Sequence, residues 1–159
     1  MENEKKIHRC CFIGSNPETL ILKEESVKPM LEKEISNAIA DGYTTFITGM
    51  SPGVDIWAAE IILEKKATTS RLKLICAIPH REYGKTKDYK YNISFKRIIG
   101  QADLVKEIFP VYNVFCYRKR NEWMIEHSNR IIAVYNGSQD GTKEIINFAS
   151  KNGLEIRLA

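Results

Sequence analysis

Three short runs of this chain combine glycine with small polar residues, and each follows an apolar stretch: Gly14-Ser15-Asn16-Pro17, Gly49-Met50-Ser51-Pro52-Gly53-Val54-Asp55 and Asn136-Gly137-Ser138-Gln139-Asp140-Gly141-Thr142. Glycine lets the backbone approach a ligand where a Cβ would block it, and free N–H groups at the start of a following helix attract anions. Gly49 and Gly53 give the second run that freedom, with Met50 and Ser51 between them. Asp55 has two readings there, a helix cap or an acceptor for a ribose hydroxyl. Gly14, Ser15 and Asn16 in the first run, and Asn136, Gly137, Gly141 and Thr142 in the third, are the matching ligand-contact candidates. Asn121 and Glu122 open a helical segment before the third run, where they can hydrogen-bond a base or ribose, or serve only as cap and surface. Glu122 and Glu126 stand one helical turn apart, a spacing that suits a carboxylate pair or two solvent-facing acids. Trp57 and Trp123 can stack on a base, although tryptophan in a helical pattern more often joins a core or interface. His80 follows a strand without acid/base partners at a recognisable spacing.

Some chemistries lose their support. No GxGxxG follows the first apolar stretch and no GxxxxGK[ST] occurs, so the usual dinucleotide and P-loop signatures are missing. Cys10, Cys11, Cys76 and Cys116 show neither CxxC nor Cys/His ligand spacing. They read as reduced structural thiols, and neither a metal nor a cofactor is expected.

The runs need a frame, and the rhythm of the chain supplies it. Strand-length apolar stretches alternate with segments of helical period, the pattern of βαβ units around a parallel sheet. Strands are expected at Arg9 to Ile13, Thr44 to Thr48, Leu72 to Ile78, Leu104 to Ile108, Arg130 to Tyr135 and Leu154 to Leu158. Helices are expected from near Pro29 to Asp41-Gly42, from Ile56 to Lys66, Ile93 to Ala102, Lys119 to His127 and Lys143 to Asn152. Pro79 to Tyr91 reads as an exposed, tyrosine-bearing loop that either closes over a ligand or only connects. The fold class is therefore α/β, one domain over residues 1–159, with a mostly parallel sheet and helices on both faces. In such a sheet the three glycine runs meet at the carboxyl edge, where ligands bind.

Composition agrees. A chain of 159 residues with 43% hydrophobic side chains can bury a core without staples. The net charge of +4 is too weak to establish nucleic-acid binding alone and suits an anionic small ligand equally well. The first fifteen residues lack a signal-peptide core and no later run approaches a membrane span, so a cytoplasmic protein without membrane contact is expected.

FIGSNPETL, TFITGMSPGVDIWAAEIILEKK, LICAIPH and RNEWMIEHSNRIIAVYNGSQDGT together resemble the YpsA-like branch of the SLOG superfamily, over nearly the whole chain. The resemblance implies a Rossmann-like fold that holds a nucleotide or a derivative such as ADP-ribose, in a sensor or sequestering role in bacterial or phage signalling and conflict. It also implies a possible homodimer through helices flanking the sheet. Two departures bear on the ligand: Ser15-Asn16 stands where the branch usually has His-Arg, and Asp140-Gly141-Thr142 where it has Gly-Gly-Thr. The related Lonely-guy phosphoribohydrolases pair an arginine with a glutamate, which match Arg120 and Glu144 here. That resemblance implies an alternative function, cleavage of a nucleoside monophosphate at its N-glycosidic bond, with Glu144 stabilising the ribosyl cation and Arg120 holding the leaving group. The relative DprA implies a second alternative, single-stranded DNA bound by Lys85, Lys87, Lys90, Arg118, Lys119 and Arg120.

Overall fold

Strands form where β-branched, aromatic and cysteine side chains cluster, and the alternating direction of successive residues divides those side chains between two faces. The structure, a computed structural model, describes residues 5–15, 17, 23–137 and 140–159. In chain order they form β1 (Arg9–Gly14), α1 (Glu24–Ala40), β2 (Thr45–Thr48), α2 (Val54–Lys66), β3 (Lys73–His80), α3 (Tyr89–Gln101), β4 (Leu104–Phe109), α4 (Cys116–Glu126), β5 (Arg130–Val134), α5 (Thr142–Lys151) and β6 (Glu155–Leu158). The six strands make one sheet in the order β4-β3-β2-β1-β5-β6, and every pairing is parallel. This is the α/β, Rossmann-like architecture the sequence rhythm implies.

Alternation along β1 shows how both faces fill. Cys10 and Phe12 join Phe46, Leu74, Leu31 of α1, Ile62 of α2 and Ile98 of α3 in one core layer. Cys11 and Ile13 join Ile47, Ala77, Ile125 of α4 and Ala149 of α5 in the other. The chain steps outward from β1 to β4 with α1, α2 and α3 on the first face. It then returns through α4 to β5, on the far side of β1, and continues outward with α5 on the second face. Strand order therefore reverses between β1 and β5, and in an open parallel sheet a crevice opens beyond the carboxyl ends at that point.

Three boundaries differ from expectation. Helix α1 starts at Glu24, ahead of Pro29, and tolerates the proline on its exposed side. Glu24 and Glu25 also favour that first turn by meeting the helix dipole. Strand β3 runs on to His80 and α3 begins at Tyr89, so the expected long loop shortens and Tyr91 is buried. Cys116 opens α4, which starts before Lys119. All four cysteines are free and buried, and burial pushes the thiols of Cys11 and Cys76 up to about 12, so they stay protonated. Among the described residues no helix is long and apolar enough to cross a membrane, and no three His, Cys, Asp or Glu side chains gather to hold a metal.

Candidate functional site

The first glycine run begins as β1 ends, and the close fit of two loops determines its residue types. A Cβ on Gly14 would lie 2.3 Å from Val54 Cγ2, so only glycine lets β1 meet the start of α2. Ser15 donates its N–H to Val134 O at 3.0 Å, which ties the end of β1 to the end of β5 across the reversal point. Ser15 is 1% exposed, and its Oγ has no hydrogen-bond partner among the described residues. Asn16, the other polar candidate of this run, lies outside the described residues.

The second run is braced from four directions. Met50 adopts φ 63°, a left-handed conformation rare for a side chain with a Cβ, and it is fully buried. Its carbonyl accepts the Tyr91 hydroxyl at 2.6 Å, and its N–H donates to Thr48 Oγ1 at 3.3 Å. Ser51 Oγ meets both the Tyr83 hydroxyl and Arg120 Nη1 at 3.3 Å. Arg120 Nη1 also donates to Gly49 O at 3.0 Å, and Arg120 Nε donates to Asn121 Oδ1 at 3.1 Å. A Cβ on Gly49 would sit 3.1 Å from Arg120 Cδ and Asp55 Oδ2, which is why that position has none.

Asp55 falls in the first turn of α2 but does not cap it. Its Oδ2 accepts the N–H of Ser51 at 3.1 Å, turning back to hold the loop, and its Oδ1 is buried without a partner. Burial pushes the carboxyl up to about 6, against the opposing pull of Arg120 and the Ser51 hydrogen bond. Gly53 serves a purpose other than ligand approach. Its φ of +94° needs glycine, and the ring of Pro17 occupies the space beside it, with Cγ 2.5 Å from where a Cβ would stand. Valine at Gly53 would therefore strain the fold as well as any site.

In the third run, Gly137 and Gly141 have φ of 86° and 89°, and Thr142, the first residue of α5, is buried. Asp140 Oδ1 accepts the Thr142 N–H at 3.2 Å. Asn136 is half-buried and Glu144 exposed. Glu144 lines a groove of about 380 Å³ between α4 and α5 with Arg118, Asn121, Glu122 and Phe148. Arg120 is not among the described residues of that groove. It is 5% exposed and turned to the 49–51 backbone.

The structure thus brings Gly49, Met50, Ser51, Asp55 and Arg120 into one network, while Ser15 is tied to the end of β5. Asn121 joins through Arg120, while Glu122 takes ion pairs from Lys119 at 3.3 Å and Arg118 at 3.8 Å. Trp57 and Trp123 are half-buried and pack on the two core layers. Sequence reasoning missed the roles of Tyr83, Tyr91 and Thr48, whose hydroxyls shape the loop; the tyrosines of the 79–91 segment were the available signal. It also missed an aromatic ladder in which His80 meets Tyr83 and Tyr112, and Tyr117 meets both tyrosines, with ring centroids 5.7–6.2 Å apart. Beyond the ladder, Val114 and Phe115 stand exposed, with Arg118 over the Phe115 ring at 5.3 Å.

Comparison with known proteins agrees with this frame. The SPbeta prophage-derived protein YoqJ of Bacillus subtilis (strain 168) is 32% identical over 161 residues, covering 90% of this chain and 88% of that protein. The structure of DNA processing protein A (DprA) from Streptococcus pneumoniae superposes with a TM-score of 0.68 at 16% identity, covering 96% of this chain but only 50% of that one. DprA from Helicobacter pylori, solved in work on its single-stranded DNA binding mode, gives a TM-score of 0.65 at 16% identity, covering 99% of this chain and 66% of that one. The model of the YpsA family, described as the YspA SLOG family, matches residues 18–157, and the chain belongs to that family.

Proposed function

We propose that residues 1–159 act as one binding module that takes a nucleotide-derived ligand in the crevice beyond β1, β2 and β5. One observation carries this reading: among the described residues, Ser15 Oγ just after β1 and Asp55 Oδ1 in the first turn of α2 are buried polar atoms without partners, both at the carboxyl edge. A buried polar atom left unpaired costs roughly 1–3 kcal/mol, and a ligand hydroxyl would offset that cost. Both atoms are covered by the protein, so binding would select a form in which Ser15 and the 49–53 loop draw apart. Four free, buried thiols fit a reducing compartment such as the cytoplasm.

The test is a thermal-shift series with nucleosides, their monophosphates, ADP-ribose, its cyclic forms and cyclic dinucleotides, with mass spectrometry on every hit. A ligand that binds only the native state raises Tm by mass action. A shift with intact ligand is the expected result, and no shift with any compound would overturn the reading. Released base would make the chain an N-glycosidase, in which case Glu144→Ala should abolish release while leaving Tm nearly unchanged, since Glu144 is exposed.

Single-stranded nucleic acid is a second reading, favoured by the exposed aromatic rings of Tyr112, Phe115 and Tyr117 beside Arg118 and Lys119. Bases of any sequence stack on such rings, at roughly 1–3 kcal/mol each. Arg120 is buried and engaged, so phosphate contacts would fall to Lys85, Lys87, Lys90, Arg118 and Lys119. On this reading, oligothymidine affinity falls steeply between 50 and 200 mM salt, as counterion release requires, and Tyr112→Ala with Phe115→Ala lowers it at least tenfold. Micromolar binding independent of salt, or indifferent to both rings, would exclude it.

A further inference from the structure

We infer that the end of the ligand entering the crevice is an unphosphorylated, hydroxyl-bearing ribosyl or nucleoside group, and that Asp140 turns a phosphate away from the amino terminus of α5. The inference rests on the proposed nucleotide-derived ligand and adds which end of it the site recognises. Helices α2 and α5 begin at this edge after the second and third glycine runs, and a helix start ordinarily invites an anion through its free N–H groups. Here both starts already hold a carboxylate of the chain itself. At α5, Asp140 Oδ1 takes the N–H of Thr142, the first helical residue, at 3.2 Å. At α2, Asp55 lies in the first turn, buried, with Oδ2 on the Ser51 N–H.

The cations nearby do not reverse this balance. Arg120 is committed to Gly49 O, Ser51 Oγ and Asn121 Oδ1. Arg118 and Lys119 both pair with Glu122. Lys143 is exposed in the first turn of α5, beside Glu144 in sequence and three residues after Asp140. What the edge does offer is an acceptor, Asp55 Oδ1, and a hydroxyl, Ser15 Oγ, each buried and without a partner. An acceptor of that kind fits a ligand O–H. A 5′-phosphate above pH 7 is mainly a dianion whose oxygens accept, so it is repelled by both carboxylates and offers them little donor capacity.

The experiment compares adenosine, guanosine, cytidine and uridine, their 5′-monophosphates and inorganic phosphate, by calorimetry on the wild-type chain, Asp140→Ala and Asp140→Asn. Alanine frees the Thr142 N–H and removes the charge; asparagine keeps the acceptor and removes only the charge. The wild type should bind at least one nucleoside tenfold or more tightly than its monophosphate. In Asp140→Ala that preference should shrink at least tenfold, with inorganic phosphate becoming a detectable ligand, and Asp140→Asn should fall between. Nucleoside affinity itself should stay within about twofold in both variants. A wild type that binds the monophosphate as tightly as the nucleoside would overturn the inference while leaving the proposed function standing. A preference unchanged in both variants would also overturn it. Failure of every nucleoside and monophosphate to bind any of the three proteins would remove this inference together with the nucleoside side of the proposed function.

Discussion

Replacing Arg120 with alanine should lower the stability of the fold by about 3 kcal/mol, because its guanidinium holds the 49–51 loop from inside. Removal would leave Gly49 O and Ser51 Oγ with fewer donors and would take the nearest opposite charge from the buried Asp55 carboxylate. Losing one partner of a buried polar set costs more than the set contributes as a whole, since the other members stay buried and unpaired. In a domain near this size the loss corresponds to roughly 6–12 °C in Tm. Urea unfolding would measure it, with an unchanged slope showing that the folded state alone has altered. Arg120→Lys should recover part of the loss, because an ammonium restores the charge but not the planar fork that reaches two oxygens at once. A loss below about 1 kcal/mol would mean that Tyr83, Tyr91 and Asp55 suffice to hold the loop. The same measurement bears on catalysis. An arginine acting only on a leaving group would be dispensable for folding, whereas one that clamps the loop would change stability and ligand affinity together.

Much of this fold is legible in the chain because local signals and tertiary packing agree. Cys10-Cys11-Phe12-Ile13 reads as a strand, and its alternate residues fill opposite core layers. Leu31, Ile35, Ala38 and Ile39 read as one helical face; the first three are buried and Ile39 is half-buried. Legibility fails where tertiary contacts override local preference. Pro29 looks like a helix start and sits inside α1, because the exposed side of a helix tolerates the missing hydrogen bond. Tyr91 sits in a polar, lysine-rich stretch that reads as exposed, yet its ring is buried so that its hydroxyl can reach Met50 O. No local pattern announces a contact between residues 41 positions apart.

The candidate site divides along the same line. The three glycine runs could be found from sequence, since strand, glycine turn and helix start follow one another within a few residues. What each glycine does could not be. Gly14 and Gly53 look alike as sites of ligand approach, but one accommodates Val54 and the other Pro17. Both contacts join the first run to the second, so those two form one packed rim in place of two separate turns. Asp55 likewise reads as a cap or a ribose contact, and it does a third thing, holding the Ser51 N–H while leaving one oxygen unpaired.

That unpaired carboxylate sets the second large expectation, a pH dependence of stability. Burial raises the Asp55 carboxyl from an ordinary value of 3.8 to about 6, so the folded chain binds this proton more tightly than the unfolded chain does. Stability contributed by the bound proton is therefore fully present below about pH 4 and is lost as pH rises through 6. A shift of this size corresponds to about 3 kcal/mol between the two limits. Asp55→Asn keeps the shape and an acceptor for Ser51 but cannot titrate. Relative to wild type, the asparagine variant should gain about 3 kcal/mol in stability between pH 4 and pH 7, and nothing further above pH 7. Denaturant melts of both proteins at half-unit steps would trace the difference, and a difference flat across that window would show that the site is wetter than its geometry indicates. Ligand binding should run the other way. A hydroxyl donating to Asp55 Oδ1 favours the ionised form, so affinity should rise with pH over the same interval and binding should release a proton near pH 6. Calorimetry in two buffers of different ionisation enthalpy would detect that proton. A ligand that binds without releasing it would have to be held by groups other than Asp55.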